Sequence, residues 1–271
     1  MTVLPSPSLL VPEAPLAAPN SAPWRFLTQL NLRHGPVNDI ARFLLAAERH
    51  VRSLGIRLEF GTFEELLGTN RANSSTWRPL VPVLDHRHAD LRSDNAFCIL
   101  GRDATGRVVA TQAARLLDMS TSTLKDEAES LRMFYGANPP DDFACLLSAP
   151  SASKITGKIT YSGGVWYAKP FRGHGLSAIL PRMCRLLALA RWNSDFALSF
   201  VEDILIRKGL PARYGYPRSE PHFMITDHRL GDCVFFGGLI WISHQETLKD
   251  LSLQLTEPQP EINTVPKLRC A

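Results

Sequence analysis

The segment Val165-Trp166-Tyr167-Ala168-Lys169-Pro170-Phe171-Arg172-Gly173-His174-Gly175-Leu176-Ser177 constrains this chain more than any other. An apolar strand-like run enters a glycine-rich turn, and a long apolar helical stretch starts at once. The first amides of such a helix have no partner inside the helix, and the helix dipole adds positive potential there. Two glycines let an anion approach the main chain without meeting a Cβ. Arg172 adds a fixed positive charge. The unit therefore reads as a binding turn for a phosphate or pyrophosphate.

The flanking sequence sets the context. Val37, Ile40, Ala41, Leu44, Ala47, Val51 and Leu54 recur at helical spacing, and Gly55 stops the run. Ile56, Leu58 and Phe60 alternate with Arg57 and Glu59, as in a strand with one buried face. A short helix is expected over 64–67, and 76–94 reads as irregular and polar. The runs 96–100 and 107–117 predict a hairpin across Arg102–Gly106, and 122–135 predicts a helix ended by Asn138-Pro139-Pro140. A strand is expected over 158–167, with Gly163-Gly164 marking a bulge or a close backbone approach. The helix after the glycine turn carries Pro181, which predicts a kink. A strand over 196–201, a short helix within 204–214, a hairpin over 222–242 and a helix over 247–255 complete the order. Hairpins thus stand on both sides of one strand–loop–helix unit.

The glycine turn resembles motif A of the GNAT acyltransferase superfamily, whose loop reads Gln/Arg-x-x-Gly-x-Gly/Ala. Arg172 and Gly175 match, and Ser177 stands where glycine or alanine is usual. Ala212-Arg213-Tyr214-Gly215-Tyr216 looks like a compressed form of that family's later Ala-x-x-x-Tyr-x-x-x-Gly-Phe segment. The resemblance implies an α/β fold with a mixed, mostly antiparallel central sheet flanked by helices. It covers about 56–242 in element order, with matching residues confined to about 161–216. The implied organisation is a Pro/Ala-rich arm over 1–24, an acyltransferase domain over 25–256 with an extra N-terminal helix and an insert at 119–153, and a tail over 257–271.

What the family binds follows from the same resemblance. The donor is acetyl-CoA, with Arg172, Gly173, His174, Gly175, Leu176 and Ser177 around its pyrophosphate and Val165 and Tyr167 along its pantetheine arm. The partner is an amine acceptor of unspecified identity. Tyr214 is the candidate for protonating the departing thiolate, or else a core tyrosine. Glu202, at the end of the next strand, is the candidate general base, or else only a cap of the following helix. The irregular 76–94 stretch, the insert and the N-terminal helix are where an acceptor pocket can be built.

Other readings of the chain bound the answer. Gly173-x-Gly175-x-x-Ala178 also fits a dinucleotide fingerprint, with Glu202 or Asp203 as the ribose acid, which would make the chain an NAD(P) oxidoreductase. A late position and flanking hairpins disfavour it, since a doubly wound sheet needs βαβ units. A CoA-binding module without catalysis is the third reading. Asp85-His86-Arg87-His88 reads as a solvated loop rather than a metal site, and Cys184 as core. No Gly-x-Ser-x-Gly elbow occurs. A net charge of +4 argues for neither nucleic acid nor membrane, while 45% hydrophobic and 21% charged residues suit a chain with a real core. Five scattered cysteines without a Cys-x-x-Cys pair, and no apolar run long enough to span a bilayer, lead to a cytoplasmic expectation.

Overall fold

A computed structural model describes residues 25–229 and 232–256. The expected arm over 1–24 and tail over 257–271 lie outside them. The chain begins with α1 (Arg25–Thr28) and α2 (Val37–Ser53), then β1 (Arg57–Gly61) and α3 (Phe63–Ala72). A 3-10 turn over Pro82–Leu84 precedes the hairpin of β2 (Ala96–Arg102) and β3 (Val108–Met119). Next come α4 (Leu124–Glu129), α5 (Arg132–Tyr135), β4 (Phe143–Leu147) and β5 (Gly157–Tyr167). The rest is α6 (Leu176–Trp192), β6 (Phe196–Glu202), α7 (Asp203–Arg207), α8 (Leu210–Arg213), β7 (Arg218–Asp227), β8 (Asp232–Ser243) and α9 (His244–Thr256).

Among the described residues the strands form one eight-stranded sheet in the order β1-β2-β3-β5-β6-β8-β7-β4. Every pairing is antiparallel except β5 with β6. This is the mixed, mostly antiparallel sheet that the resemblance implied. A doubly wound sheet would be largely parallel, so the dinucleotide reading loses its frame. Successive residues of a strand point to opposite faces. In β2, Cys98 and Leu100 join one buried cluster, and Phe97 and Ile99 join the other. The first cluster packs under α3, the 3-10 turn, α4 and α5. The second packs against α1, α2, α6 and α9.

Several elements depart from the sequence expectations for local reasons. The expected helix over 122–135 is two short helices. Thr123 and Asp126 form a capping box at the start of α4, but Leu131 takes a left-handed conformation (φ 62) that separates α5. The Ser130 hydroxyl donates back to the Asp126 carbonyl at 2.5 Å, closing the turn. The insert also contains β4, which pairs with β7 from Phe143↔Asp227 to Leu147↔Phe223. Helix α3 starts at Phe63, one residue before its expected position, where the Thr62 hydroxyl accepts from the Glu65 amide, and it runs five residues past its expected end, to Ala72. β7 starts before its expected position, and its register shifts between Pro221 and Phe223, where His222 has φ 70. A proline inside a strand is accommodated by such a bulge. Helix α6 continues through Pro181.

Helix α9 starts at a box the sequence reading overlooked, Ser243-His244-Gln245-Glu246. The Glu246 carboxylate accepts from the Ser243 amide at 3.0 Å and from its hydroxyl at 2.7 Å, and Arg218 of β7 pairs with the same carboxylate. The Arg218 hydrogen bond outweighs the opposing effect of burial and holds the Glu246 carboxyl at about 2, against an ordinary 4.5. A depressed carboxyl stabilises the fold above its unfolded value, and that contribution is lost as pH falls through the folded value. Glu246→Gln is therefore expected to be less stable than the parent at neutral pH. The difference should shrink as pH falls from about 5 to about 2, which urea unfolding across that range checks.

Candidate functional site

The site begins at the glycine pair of β5. Against β3, the register passes from Ala113↔Gly163 to Thr111↔Trp166, so Gln112 faces two residues, Gly164 and Val165. The extra residue is a β-bulge with Gly164 at φ 63. The Thr111 hydroxyl donates to the Gly164 carbonyl at 2.7 Å, and the Gln112 amide donates to that of Gly163 at 3.3 Å. The bulge bends β5 away from its other neighbour. β5 and β6 pair only at Ile159↔Phe196, Thr160↔Ala197 and Tyr161↔Leu198. Beyond Tyr161 they part, while β6 stays paired with β8 through Glu202↔Gly237.

The parting exposes a strand edge inside the protein. The Ala168 amide donates to the Val109 carbonyl of β3 at 2.8 Å. In an antiparallel ladder alternate residues turn their main-chain groups to the same side, so Trp166 also faces β3. Val165 and Tyr167, between them, face the gap. The Tyr167 carbonyl there accepts from the Arg172 side chain at 2.8 Å. An extended ligand with amide groups can lie along Val165 as an added strand does.

The gap opens into a cleft of about 680 Å³. One wall is Gly163–Tyr167 of β5, and another is Ser199–Glu202 of β6. Arg172, Gly173, Leu176 and Ser177 line one end, where Gly173 (φ 84) and Gly175 (φ 79) take left-handed conformations. Among the described residues the amides of 173–177 make no main-chain hydrogen bond inside the protein. They stand at the start of the seventeen-residue α6. A Cβ on Gly173 would meet nothing within 4 Å, so its side of the loop is open to a ligand. His174 and Gly175 shape the turn but do not line the cleft. The His174 carbonyl lies 3.4 Å from His50 of α2. Arg213 lines the cleft as a further cation, which the sequence reading did not assign to the donor.

Tyr214 and Glu202 line the same cleft. Tyr214 is buried, and burial first, then neighbouring Tyr216, raises its phenol above the ordinary range. It is both a core tyrosine, packed with Val201, Tyr216 and Ile240, and a cleft residue. Tyr216 is buried outside the lining. Glu202 precedes α7 but makes no side-chain cap bond to it, so that reading of its role finds no support. Its carboxylate instead meets Arg78, Nε–Oε1 2.5 Å. Arg78 belongs to the irregular stretch after α3, which also lends Ser74, Ser75, Thr76, Trp77 and Val81 to the lining. No residue of the 119–153 insert or of α2 lines the cleft. Trp77 stacks on Trp166 with centroids 5.7 Å apart. Tyr161 and Ser199 are further lining residues that no local motif signals.

Buried charge fixes the segment that carries Tyr214. Arg185 of α6 is 1% exposed, donating to the carbonyls of Tyr214 at 3.1 Å and Gly215 at 3.4 Å and to the Asp250 carboxylate at 2.8 Å. Arg182 donates to the Arg213 carbonyl at 2.8 Å and pairs with Asp250 at 3.1 Å. A Cβ on Gly215 would lie 2.7 Å from the Arg182 guanidinium, so only glycine lets the turn close on it. Cys184, beside Arg185, has its thiol pushed to about 12 by burial and is no nucleophile. Asp85, from the histidine-bearing loop, is buried and receives the Arg87 guanidinium and amide. Asp250→Ala would leave Arg185 without its carboxylate. Removing one partner of a buried pair costs about 3–5 kcal/mol, and a loss of that order is expected in urea unfolding.

No protein-family model matches the chain, and no curated protein matches it. Solved structures do. An aminoglycoside acetyltransferase, AAC(6')-Ib in complex with coenzyme A and kanamycin, is 12% identical with a TM-score of 0.40 over 72% of this chain and 98% of its own. A GNAT-family acetyltransferase from Staphylococcus aureus is 10% identical, TM-score 0.38, over 69% and 98%. Mutant forms of the spermidine/spermine N-acetyltransferase SpeG from Vibrio cholerae are 10% identical, TM-score 0.41, over 72% and 97%. These superpositions are loose. What agrees with the resemblance is the chain's own mixed, mostly antiparallel sheet, with the strand–glycine-loop–helix unit between β5 and β6.

Proposed function

We propose that this chain is an N-acyltransferase that moves an acyl group, acetyl in the simplest case, from acyl-CoA to an amine. One observation carries the reading. A single cleft runs from the free amides at the start of α6, past the unpaired edge of β5, to a carboxylate and a buried phenol. The residues fit a CoA thioester. The loop 172–177 offers main-chain donors, an open glycine and Arg172 to a pyrophosphate, with Arg213 beside them. Val165 and Tyr167 offer main-chain groups to an amide-bearing arm. When bound, the thioester supplies an acyl carbonyl activated for attack by an amine.

The chain's own residues then have distinct tasks. The cleft walls orient donor and acceptor, and orientation alone supplies much of the acceleration in such a transfer. Glu202 receives the ammonium proton, directly or through water. Tyr214 delivers its phenolic proton toward the departing sulfur. A phenol is protonated at neutral pH, as a proton donor requires, and burial raises this one further. The proposed compartment is a reducing cytoplasm, which the unpaired state of the described cysteines supports.

Two expectations test the reading. CoA or acetyl-CoA should raise the melting temperature, by the equivalent of about 2.7 kcal/mol at a hundredfold excess over Kd, and NADP should not. Gly175→Glu, which puts bulk and negative charge beside the loop amides, should abolish the CoA shift in a variant folded by circular dichroism. A protein that shifts with NADP instead is not an acyltransferase. In single-turnover acetyl transfer to whichever amine is accepted, Tyr214→Phe should slow the step by about a hundred- to ten-thousandfold with CoA affinity nearly intact. Tyr216→Phe, outside the cleft lining, should be mild. The reverse ranking would move the proton donor to Tyr216.

A further inference from the structure

The charges along the cleft are unevenly placed. Among its described lining residues there are three guanidiniums, Arg78, Arg172 and Arg213, and one carboxylate, Glu202. Arg172 flanks the glycine loop, and the Arg213 carbonyl shares the Arg182 guanidinium with that of Ala178, in the first turn of α6. Both therefore belong to the phosphate end. Arg78 stands apart from them, paired with Glu202 and next in sequence to the Trp77 ring that stacks on Trp166. Its partner comes from another element of the lining, since Arg78 follows α3 and Glu202 ends β6. The pair ties these two parts of the cleft lining together. Arg78 is 67% exposed and Glu202 25%, so the guanidinium can swing into water while the carboxylate stays against the wall.

An acceptor that reaches Glu202 must separate this pair. A plain amine gives Glu202 a new cation and leaves Arg78 without an anion. A plain carboxylate does the reverse. A molecule with an ammonium and a carboxylate on adjacent atoms supplies both partners at once and leaves no charge alone. Specificity of this kind comes from what the wrong ligand leaves unpaired as much as from what the right one gains. Arginine is also suited to a carboxylate, because its planar fork donates to both oxygens together. The stacked indoles of Trp77 and Trp166, with Val81, form an apolar wall for the rest of such a ligand.

We propose that the acceptor is a free α-amino acid with an apolar or aromatic side chain, its carboxylate held by Arg78, its ammonium presented to Glu202 and its side chain against Trp77. The inference rests on the acyl-transfer reading and names the substrate class of that site. In the reaction, the ammonium gives one proton to Glu202 and its freed electron pair attacks the thioester carbonyl. The new C–N bond forms, the C–S bond breaks, and the sulfur leaves with the bonding pair. Sulfur takes a proton from Tyr214, which is restored by the second proton lost from nitrogen. The products are an N-acyl amino acid and CoA, with one net proton released to solvent.

The test is calorimetric titration of the full chain, saturated with CoA, with the standard L-amino acids and with the matched amines that lack the carboxylate. At least one apolar or aromatic amino acid should bind about tenfold or more tightly than its amine, the value of one charge-assisted contact. Arg78→Gln, folded by circular dichroism, should collapse that ratio toward one, and Arg78→Lys should keep part of it. Equal or tighter binding of the amines, no binding by any amino acid, or a preference that survives Arg78→Gln would overturn the proposal. Acetyl-CoA turnover on the same panel separates the two readings. Transfer to amines but not to amino acids leaves the acyltransferase and removes this acceptor. Amino-acid preference in binding without transfer to any compound leaves the acceptor site and removes the acyltransferase.

Discussion

β6 cannot pair fully with both of its neighbours, and the side on which it yields decides where this protein has a cleft. It pairs with β8 along its whole length, from Phe196↔Ser243 to Glu202↔Gly237, and with β5 over three residue pairs. Two features enforce the choice. On one side, the bulge at Gly163–Val165 turns β5 away. On the other, Gly237 lets β8 come so close that a Cβ there would stand 2.1 Å from the Val201 carbonyl. The unpaired edge of β5, the position of Glu202 and the access to the loop before α6 all follow from that division. An unpaired edge is ordinarily a liability in a sheet. Here the cleft walls shelter it.

The opposite side of the sheet carries a cost in buried charge. Arg185 and Arg182 converge on Asp250 and on three successive carbonyls, those of Arg213, Tyr214 and Gly215. Arg191 lies over the rings of Phe60 and Phe97, 4.7 Å from each centroid, and burial lowers its pKa. Apolar side chains of similar volume can stabilise a core as well as buried ions do. What apolar residues cannot do is hold a turn by its carbonyls. Arg182, on the Arg213 carbonyl, and Arg185, on those of Tyr214 and Gly215, together hold the main chain on both sides of the Tyr214 Cα, so the phenol reaches the cleft from a fixed base rather than from a surface loop.

Much of this was legible in the sequence because it is local. The strand–glycine–helix unit, the Gly163-Gly164 irregularity, helix α2 and both hairpins follow from short-range pattern and turn chemistry. Of the ten residues expected around the donor and the chemistry, eight line one cleft, while His174 and Gly175 shape the turn. The rest depends on contacts distant in sequence. β4 is five residues without strong alternation, and it is a strand only because β7 is beside it. The break at Leu131 comes from a left-handed residue whose side chain is drawn into the core. Trp77 and Arg78 lie in a stretch with no periodicity, and only the folded sheet brings them into one lining with Glu202. The boxes at Thr123 and Ser243 are readable in the sequence, and they start α4 two residues after its expected position and α9 three residues before.

The clamp on residues 213–215 also sets an order of events during synthesis. Every other part of the cleft is present in the chain by Tyr214, but the carboxylate that balances Arg182 and Arg185 is Asp250, thirty-six residues further on. A growing chain on the ribosome therefore holds two guanidiniums without their counter-ion while β7, β8 and α9 are still being made. The turn bearing Tyr214 is locked only once α9 has emerged and docked. Such a protein gains its finished cleft only after α9 has been made, and chains halted before Asp250 carry the loop and the glycines but not the fixed phenol.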